Sequence, residues 1–254
     1  MKILALSDMR GHTDYVNQVP ELVKEVEPAL VVFTGNVLKS EARLAEWERA
    51  KQENRKPDYS KETIRNEEDH DAQLYETLFD MLGQLNIPVA VIPGALDSPK
   101  GRYLRAVLHH ESIFSTFHSV HGSFIIAPER SFVVAGFGGL LTERDNEDYF
   151  MFVSPRWEVE YYLKFLNELE QERILLFHTP PKDIKGLTDE KGSEIVNSLI
   201  KMYHPKFVFC GGSLEIQKKE VIGDSVVVLS GGLDRGNYAL VDTRTHEIAF
   251  GNLR

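Results

Sequence analysis

The sequence has almost no cysteine and no excess of basic residues, and each shortage excludes a class of protein. Cys210 is the single cysteine, so no disulfide can form within the chain, and a reducing compartment such as the cytoplasm is expected. The chain carries 29 Lys and Arg against 39 Asp and Glu, a formal net charge of −10. Nonspecific binding to nucleic acid or to an anionic membrane needs a basic surface, so neither partner is expected.

Long apolar runs and two nucleotide-binding motifs are also missing. The first apolar run, residues 3–6, is too short for the core of a signal peptide. No stretch approaches the roughly 18 apolar residues that a membrane span needs. No Gly-x-Gly-x-x-Gly follows the first strand, and no Gly-Lys-Ser/Thr phosphate loop is present. The sequence therefore predicts a soluble cytoplasmic protein, with residues 1–254 forming a single domain.

Short runs of Val, Ile, Leu and Phe predict buried strands, and amphipathic segments between them predict helices. The clearest strands are KILALSD (2–8), ALVVFTG (29–35), PVAVIPG (88–94), RILLFHTP (173–180) and KFVFCGGS (206–213). Residues 123–139 predict two further strands, and the chain from Glu220 predicts a run of hairpins with turns at 223–224, 235–236 and 243–244. This mixture predicts an α/β fold with two sheets packed face to face and helices outside, a four-layer α/β/β/α sandwich.

Two helical segments have distinctive compositions. In WEVEYYLKFLNELE, helical spacing places Tyr161, Tyr162, Phe165 and Leu169 near one apolar stripe. In the segment 39–71, 18 of 33 residues are charged. This segment predicts a solvated helical insertion, and its place directly after a strand leaves a lid or a dimerisation arm as the alternative.

Polar side chains and glycines follow five of the predicted strands. Because ligands of open α/β sheets gather at the carboxyl ends of strands, these ends are the candidate site. They are Asp8-Met9-Arg10-Gly11, Gly35-Asn36-Val37-Leu38, Gly94-Ala95-Leu96-Asp97, His178-Thr179-Pro180-Pro181 and Gly211-Gly212-Ser213-Leu214.

In order and spacing, this series resembles the motifs of the calcineurin-like metallophosphoesterase superfamily, over almost the whole chain. The family pattern is Asp-x-His, Gly-Asp, Gly-Asn-His-Asp/Glu, a lone His and Gly-His-x-His, and the late SGG…GNYALVD segment is similar to its closing strand pair. The resemblance implies the four-layer fold, a pair of divalent metal ions and hydrolysis of phosphate esters. It assigns metal-binding and catalytic positions to Asp8, Asn36 and His178.

Several positions depart from the family pattern. The pattern is matched by Asp8, Asp97 and His178. The first histidine is replaced by Arg10 and the bridging aspartate by Asn36. In the third motif, the asparagine is replaced by Ala95 and the histidine by Leu96, and the two histidines of the last motif are replaced by Gly212 and Leu214. A neutral amide is a poor bridge between two dications, and a guanidinium repels them. The usual pair of metal ions is therefore not expected, and one divalent ion on Asp8, Asn36 and His178 is the alternative.

Two roles are possible for Arg10. It could form an ion pair with Asp8 or Asp97 and so compensate a buried carboxylate. It could instead bind a phosphate or carboxylate, with His12, His178 and Asp97 at the same site and with backbone N–H groups of the glycines at 11, 35, 94, 211 and 212 approaching the anion.

Three functions remain open at this point. The first is a phosphoesterase-like protein with a degenerate metal site that binds a phosphorylated or other anionic small molecule. The second is a divergent phosphoesterase with one divalent ion, which hydrolyses phosphate mono- or diesters. The third is a non-catalytic interaction protein whose contact surface is the 39–71 insertion. Its partner could be a second copy of the chain, in a homo-oligomer.

Overall fold

The computed structural model describes residues 1–182, 184–187, 192–213 and 215–254. Its strands are β1 (Lys2–Leu6), β2 (Leu30–Phe33), β3 (Val89–Val91), β4 (Phe117–Ser119), β5 (Phe124–Ile126), β6 (Phe132–Phe137), β7 (Leu140–Thr142), β8 (Val153–Pro155), β9 (Glu172–Phe177), β10 (Phe207–Cys210), β11 (Lys218–Ile222), β12 (Ser225–Leu229), β13 (Asn237–Asp242) and β14 (Ile248–Asn252). Its α-helices are α1 (Val19–Val26), α2 (Glu41–Gln52), α3 (Glu62–Gly83), α4 (Lys100–Ile113), α5 (Arg156–Leu163) and α6 (Glu194–Tyr203).

Two six-stranded sheets form the centre of the fold. The first has the order β14-β13-β1-β2-β3-β4, and the second has the order β11-β12-β10-β9-β6-β5. In the first sheet β1, β2, β3 and β4 run parallel, and β13 and β14 are added antiparallel beside β1. In the second sheet β12, β10, β9 and β6 run parallel, with β11 and β5 antiparallel at the two edges. The predicted four-layer sandwich is confirmed, and so are the five strand runs.

The alternation of side chains between the two faces of each strand explains how the sheets and helices form layers. Successive side chains of a strand point to opposite faces, so a strand covered on both faces reads as continuously apolar. In β1, Leu4 and Leu6 pack with residues of α1, α3 and α4, while Ile3 and Ala5 pack with the second sheet. The far face of the second sheet packs with α5 and α6. Three hydrophobic layers therefore hold two sheets and two helical layers together.

The predicted run of hairpins is correct at its ends and wrong in its middle. The β11–β12 and β13–β14 pairs are antiparallel, as predicted. However, β12 lies parallel to β10 in the second sheet, whereas β13 pairs with β1 in the first. The chain crosses between the sheets through a short 3₁₀ helix, Leu233–Arg235. The carboxyl end of β12 therefore lies at the same edge as the candidate site.

The predicted apolar stripe is wrong for its two tyrosines, whereas Phe165 and Leu169 pack against the core. Tyr161 and Tyr162 are 71% and 49% exposed, and the buried residues are Val159, Leu163 and Leu166. These aliphatic side chains recur at helical spacing and pack against the second sheet, so the two tyrosines are turned outward.

The charged segment 39–71 is a helical hairpin, formed by α2 and the first half of α3, which continues to Gly83. Most residues of this segment are exposed or half-buried, but the charged residues Arg43, Glu46 and Asp71 are buried. None of the described helices is both long and apolar enough to cross a membrane.

His121 is a neutral histidine held beside Phe137 and Phe152, with ring-centroid distances of 4.2 and 5.3 Å. Its Nδ1 accepts the Gly138 N–H at 3.0 Å, and burial, with a smaller effect of Lys100, lowers its pKa to about 3. A depressed pKa stabilises the fold above the unfolded value near 6.5, and this stability is lost as the pH falls towards 3.

We therefore expect His121→Gln to reduce the acid sensitivity of the protein. Between pH 8 and pH 5, His121 should account for about 1–2 kcal/mol of lost unfolding free energy in the wild type. Urea unfolding at both pH values measures this difference, with the exposed His109→Gln as control. An equal loss in wild type and His121→Gln would contradict the assignment.

Candidate functional site

A cavity of about 460 Å³ opens at the carboxyl ends of the central strands. Its walls come from the segments that follow β1, β2, β3, β9 and β10, as the strand-end rule predicts. Residues at its surface include Asp8, Arg10, Asn36, Leu96, His178 and Ser213. Leu214, another of the positions compared with the family pattern, lies outside the described residues.

Asp8 is buried at the base of the cavity and is surrounded by hydrogen-bond donors. Its Oδ2 accepts from the Ser7 hydroxyl at 2.6 Å and from the Gly212 N–H at 2.9 Å. Its Oδ1 accepts from Nδ2 of Asn36 at 2.7 Å. Three donors thus compensate the buried carboxylate without a cation.

Asn36 has a fixed amide orientation. Its Oδ1 accepts the Leu96 N–H at 2.9 Å, so the amide nitrogen is the group that faces Asp8. Its backbone adopts a left-handed conformation with φ of 61°, which asparagine tolerates better than most residues. The amide therefore joins the turn after β3 to the end of β1.

Asp97 supports the site from below and is not part of the cavity wall. It is fully buried, and its two oxygens accept four backbone N–H groups, from Asn36, Val37, Leu38 and Gly94, at 2.6–3.1 Å. Burial raises the pKa of Asp97 to about 7, and the four N–H groups oppose this rise. These contacts show that Asp97 joins two turns, and its predicted contact with a ligand stays a prediction.

The glycines act mainly through close packing. Gly35 has φ of 94°, and a Cβ on Gly35 or Gly94 would overlap the opposite turn. The N–H groups of Gly11, Gly94, Gly211 and Gly212 donate to Val37, Asp97, Phe177 and Asp8, respectively. The expectation that these four N–H groups bind an anion is therefore wrong, because each has a partner within the protein.

His178 lines the cavity, and its Nε2 has no hydrogen-bond partner among the residues that the structure describes. Its Nδ1 lies 2.7 Å from the Thr34 carbonyl oxygen, which can only accept, so Nδ1 carries the proton. Burial lowers the pKa of His178 and Arg10 acts in the same direction, while Asp8 and the Thr34 hydrogen bond oppose them. The neutral ring therefore directs the lone pair of Nε2 away from Thr34.

Arg10 lines the cavity with its charge uncompensated by a direct contact. It has φ of 48° and is half-buried. Within the described part of the chain, no carboxylate lies within 4 Å of its guanidinium, so the possible pair with Asp8 or Asp97 is not formed. His12 is exposed and is not part of the cavity wall, although its charge acts on the nearby Asp234.

Three further residues lie in this region: Ser7 and Ser213, which belong to the predicted strand ends but were assigned no role, and Asp234, which was not predicted. The Ser7 hydroxyl donates to Asp8, and Ser213 lines the cavity. The Asp234 N–H donates to the Asp8 carbonyl at 3.0 Å, and burial, followed by the charge of Asp8, raises the pKa of Asp234. The strand-end rule applied to β12 would have found Asp234, because β12 is parallel to β10.

The donor set does not fit a pair of divalent metal ions. Such a pair needs several anionic or imidazole ligands whose lone pairs converge. Among the residues that the structure describes, no three His, Cys, Asp or Glu side chains form a group that could hold a metal ion. Asp8 already accepts three hydrogen bonds, and Asn36 turns its N–H₂ group towards it. Arg10 adds a permanent positive charge.

The architecture agrees with comparisons to known proteins. The family model described as metallophosphoesterase, calcineurin superfamily, matches residues 1–253. The chain belongs to this metallophosphoesterase family of the calcineurin superfamily. No sequence among the curated proteins matches the chain.

Solved structures support the same assignment. One crystal structure matches with a TM-score of 0.88 and 32% identity, over 100% of this chain and 99% of that chain. The protein TT1561 of Thermus thermophilus matches with a TM-score of 0.81 and 30% identity over the same shares. A dimetal phosphatase from Danio rerio, at 10% identity and a TM-score of 0.59, covers 94% of this chain and 91% of that chain and supports the fold alone.

Proposed function

We propose that the cavity binds a phosphorylated or other anionic small molecule through Arg10, without the pair of metal ions that the family implies. The observation that carries this proposal is Arg10, which lines the cavity while the carboxylates of Asp8 and Asp97 accept hydrogen bonds from other donors. Asp234, whose buried Oδ1 accepts no hydrogen bond from the described residues, interacts with Arg10 only through its charge. A guanidinium offers five N–H donors in a planar arrangement that suits the oxygens of phosphate.

Two uncharged groups complement Arg10. Nε2 of neutral His178 can accept the hydrogen of a singly protonated phosphate oxygen, and the Ser213 hydroxyl can donate or accept. The cavity of about 460 Å³ is several times larger than a phosphate group. It therefore has room for the organic part of a phosphate ester. The single buried cysteine supports a cytoplasmic location for this binding.

Isothermal titration with inorganic phosphate and phenyl phosphate tests the proposal. Because hydrogen bonds to a charged group each contribute about 1.5–3 kcal/mol, Arg10→Ala should bind phosphate about 10- to 100-fold more weakly. Arg10→Lys should retain part of the affinity, since lysine keeps the charge but loses the planar set of donors. Arg49→Ala, an exposed arginine on α2, is the matched control.

Two outcomes would contradict anion binding at this cavity. The first is the absence of heat with every phosphate compound at millimolar concentration. The second is binding that Arg10→Ala and Arg49→Ala weaken equally, because this would locate the anion on general surface charge.

The alternative function is a divergent phosphoesterase with one divalent ion at Asp8, Asn36 and His178. The free Nε2 of His178, close enough to Asp8 for their charges to interact, favours this alternative. Metal analysis after growth with added Mn²⁺, Mg²⁺, Ca²⁺ or Zn²⁺, together with aryl phosphate mono- and diesters, distinguishes the two functions. A protein without metal that stays inactive when these ions are added would exclude hydrolysis of this kind.

A further inference from the structure

A continuous series of hydrogen bonds joins the helical hairpin of residues 39–71 to the base of the cavity. It begins at Arg43 in α2, passes through Ser40 and Leu96, and ends at Asn36 and Asp8. Every member of this series is buried. The hairpin is therefore in direct contact with the residues that surround Arg10.

Arg43 is the fixed end of the series. Its side chain is fully buried, with Nη1 at 2.7 Å from Oδ2 of Asp71 and Nε at 3.3 Å from Glu67. Asp71 also pairs with Arg102 of α4. Because several carboxylates and a second helix hold it, the guanidinium has little freedom to move.

Ser40 links Arg43 to Leu96 of the cavity wall by two hydrogen bonds. It lies directly before α2, where a serine hydroxyl usually accepts a backbone N–H of the first turn, but no such bond is formed. Instead, its Oγ accepts from Nη2 of Arg43 at 2.8 Å and donates to the Leu96 carbonyl at 2.7 Å. The left-handed backbone of Ser40, with φ of 47°, accompanies this arrangement.

Leu96 is thus held on both sides of its Cα. Its carbonyl accepts from Ser40, and its N–H donates to Oδ1 of Asn36. With Oδ1 occupied, Nδ2 of Asn36 is directed to Oδ1 of Asp8 at 2.7 Å. The orientation of one amide therefore determines whether this Asp8 oxygen has a partner.

We propose that Ser40 and Arg43 are positioning residues that keep Arg10 available for an anion. Asp8 and Arg10 are two residues apart, and a carboxylate that loses the Asn36 hydrogen bond would have an oxygen free for the guanidinium. Such a pair would compete with a bound anion. The inference rests on the proposed function for its effect on binding, but the state of Arg10 can be measured separately.

Ser40→Gly is the appropriate variant, because glycine accepts a positive φ without strain and removes only the hydroxymethyl group. We expect it to bind inorganic phosphate about three- to tenfold more weakly than the wild type, as the loss of one hydrogen bond in the series implies. Ser60→Gly, an exposed serine of the same hairpin, is the control and should bind as the wild type does. Arg43→Lys, which keeps a charge for Asp71 but cannot also reach Ser40, should weaken binding similarly.

A second measurement needs no bound anion. Phenylglyoxal modifies unpaired guanidinium groups, and peptide mass spectrometry gives the rate at Arg10 relative to the exposed Arg49 in the same molecule. We expect this ratio to fall at least threefold in Ser40→Gly and to be unchanged in Ser60→Gly. A merely structural role of Ser40 would alter the thermal unfolding temperature without this change.

The two measurements separate the possible failures. If wild type does not bind phosphate but Ser40→Gly slows modification of Arg10, the proposed function fails and the positioning role stands. If the relative modification rate is the same in Ser40→Gly, Arg43→Lys and wild type, the positioning role is overturned, whatever the affinity for phosphate.

Discussion

Asp97→Ala is expected to lower the free energy of unfolding by about 3–5 kcal/mol, the largest loss of stability that a single substitution at this site should cause. The substitution removes the acceptor of four buried N–H groups, and each unsatisfied group costs about 1–3 kcal/mol, part of which local rearrangement recovers. It also leaves a void between two turns whose backbones are in contact at Gly35 and Gly94.

Urea and thermal unfolding measure this loss, which corresponds to a fall of roughly 6–12 °C in Tm for a chain of this size. Asp97→Asn keeps one acceptor oxygen and should lose less. Asp145→Ala, at an exposed acidic residue in a loop, is the control and should change stability little. A loss in Asp97→Ala no greater than in this control would show that the four N–H groups do not depend on the carboxylate.

Asn36→Asp, which restores the residue type of the family pattern, is expected to destabilise the protein by about 2–4 kcal/mol at pH 8. The substitution places a carboxylate oxygen where an amide nitrogen now lies 2.7 Å from Oδ1 of Asp8. Two carboxylates at this distance cannot both ionise without strong repulsion, so the pair retains a proton and its upper pKa is raised.

The stability of Asn36→Asp should decrease as the pH rises. An unfolded aspartate has a pKa near 3.9, so the folded variant binds more protons than the unfolded chain at pH values between this pKa and the raised one. Stability is therefore greatest at low pH and is lost as the pH rises through the raised pKa. Urea unfolding at pH 5 and pH 8 should show a deficit relative to wild type that widens with pH. A constant deficit, or one like that of the exposed Asn66→Asp, would contradict the shared proton.

The sequence predicts the layers of this fold because its central strands are buried on both faces, and such strands read as unbroken apolar runs. The same runs locate Asp8, Asn36 and His178 on the cavity, since the ends of parallel strands meet at one edge. Local turn signals did not show that β12 and β13 belong to different sheets, because a turn sequence does not specify which partner the next strand joins.

Orientation is the part of the site that the sequence does not reveal. Composition indicates that the segment 39–71 is polar, but it does not show that Arg43 turns inward to Asp71. Nor does the motif pattern show that Asn36 faces Asp8 with its nitrogen, or that the N–H groups of Gly11, Gly94, Gly211 and Gly212 donate to acceptors within the protein. Most of these features depend on contacts between residues far apart in the chain, such as Asp8 with Asn36, 28 positions away, and with Gly212, 204 positions away.

The close contact between Gly35 and Gly94 divides the site into a fixed floor and an adaptable rim. Side chains larger than hydrogen cannot be accommodated between the two turns, so the floor has little freedom to drift during evolution or to move when a ligand binds. Leu140 and Ile216 line the cavity outside this contact. New ligand preferences are therefore expected from exchange of rim residues, while the contact between Gly35 and Gly94 keeps the turn that carries Asn36 in place.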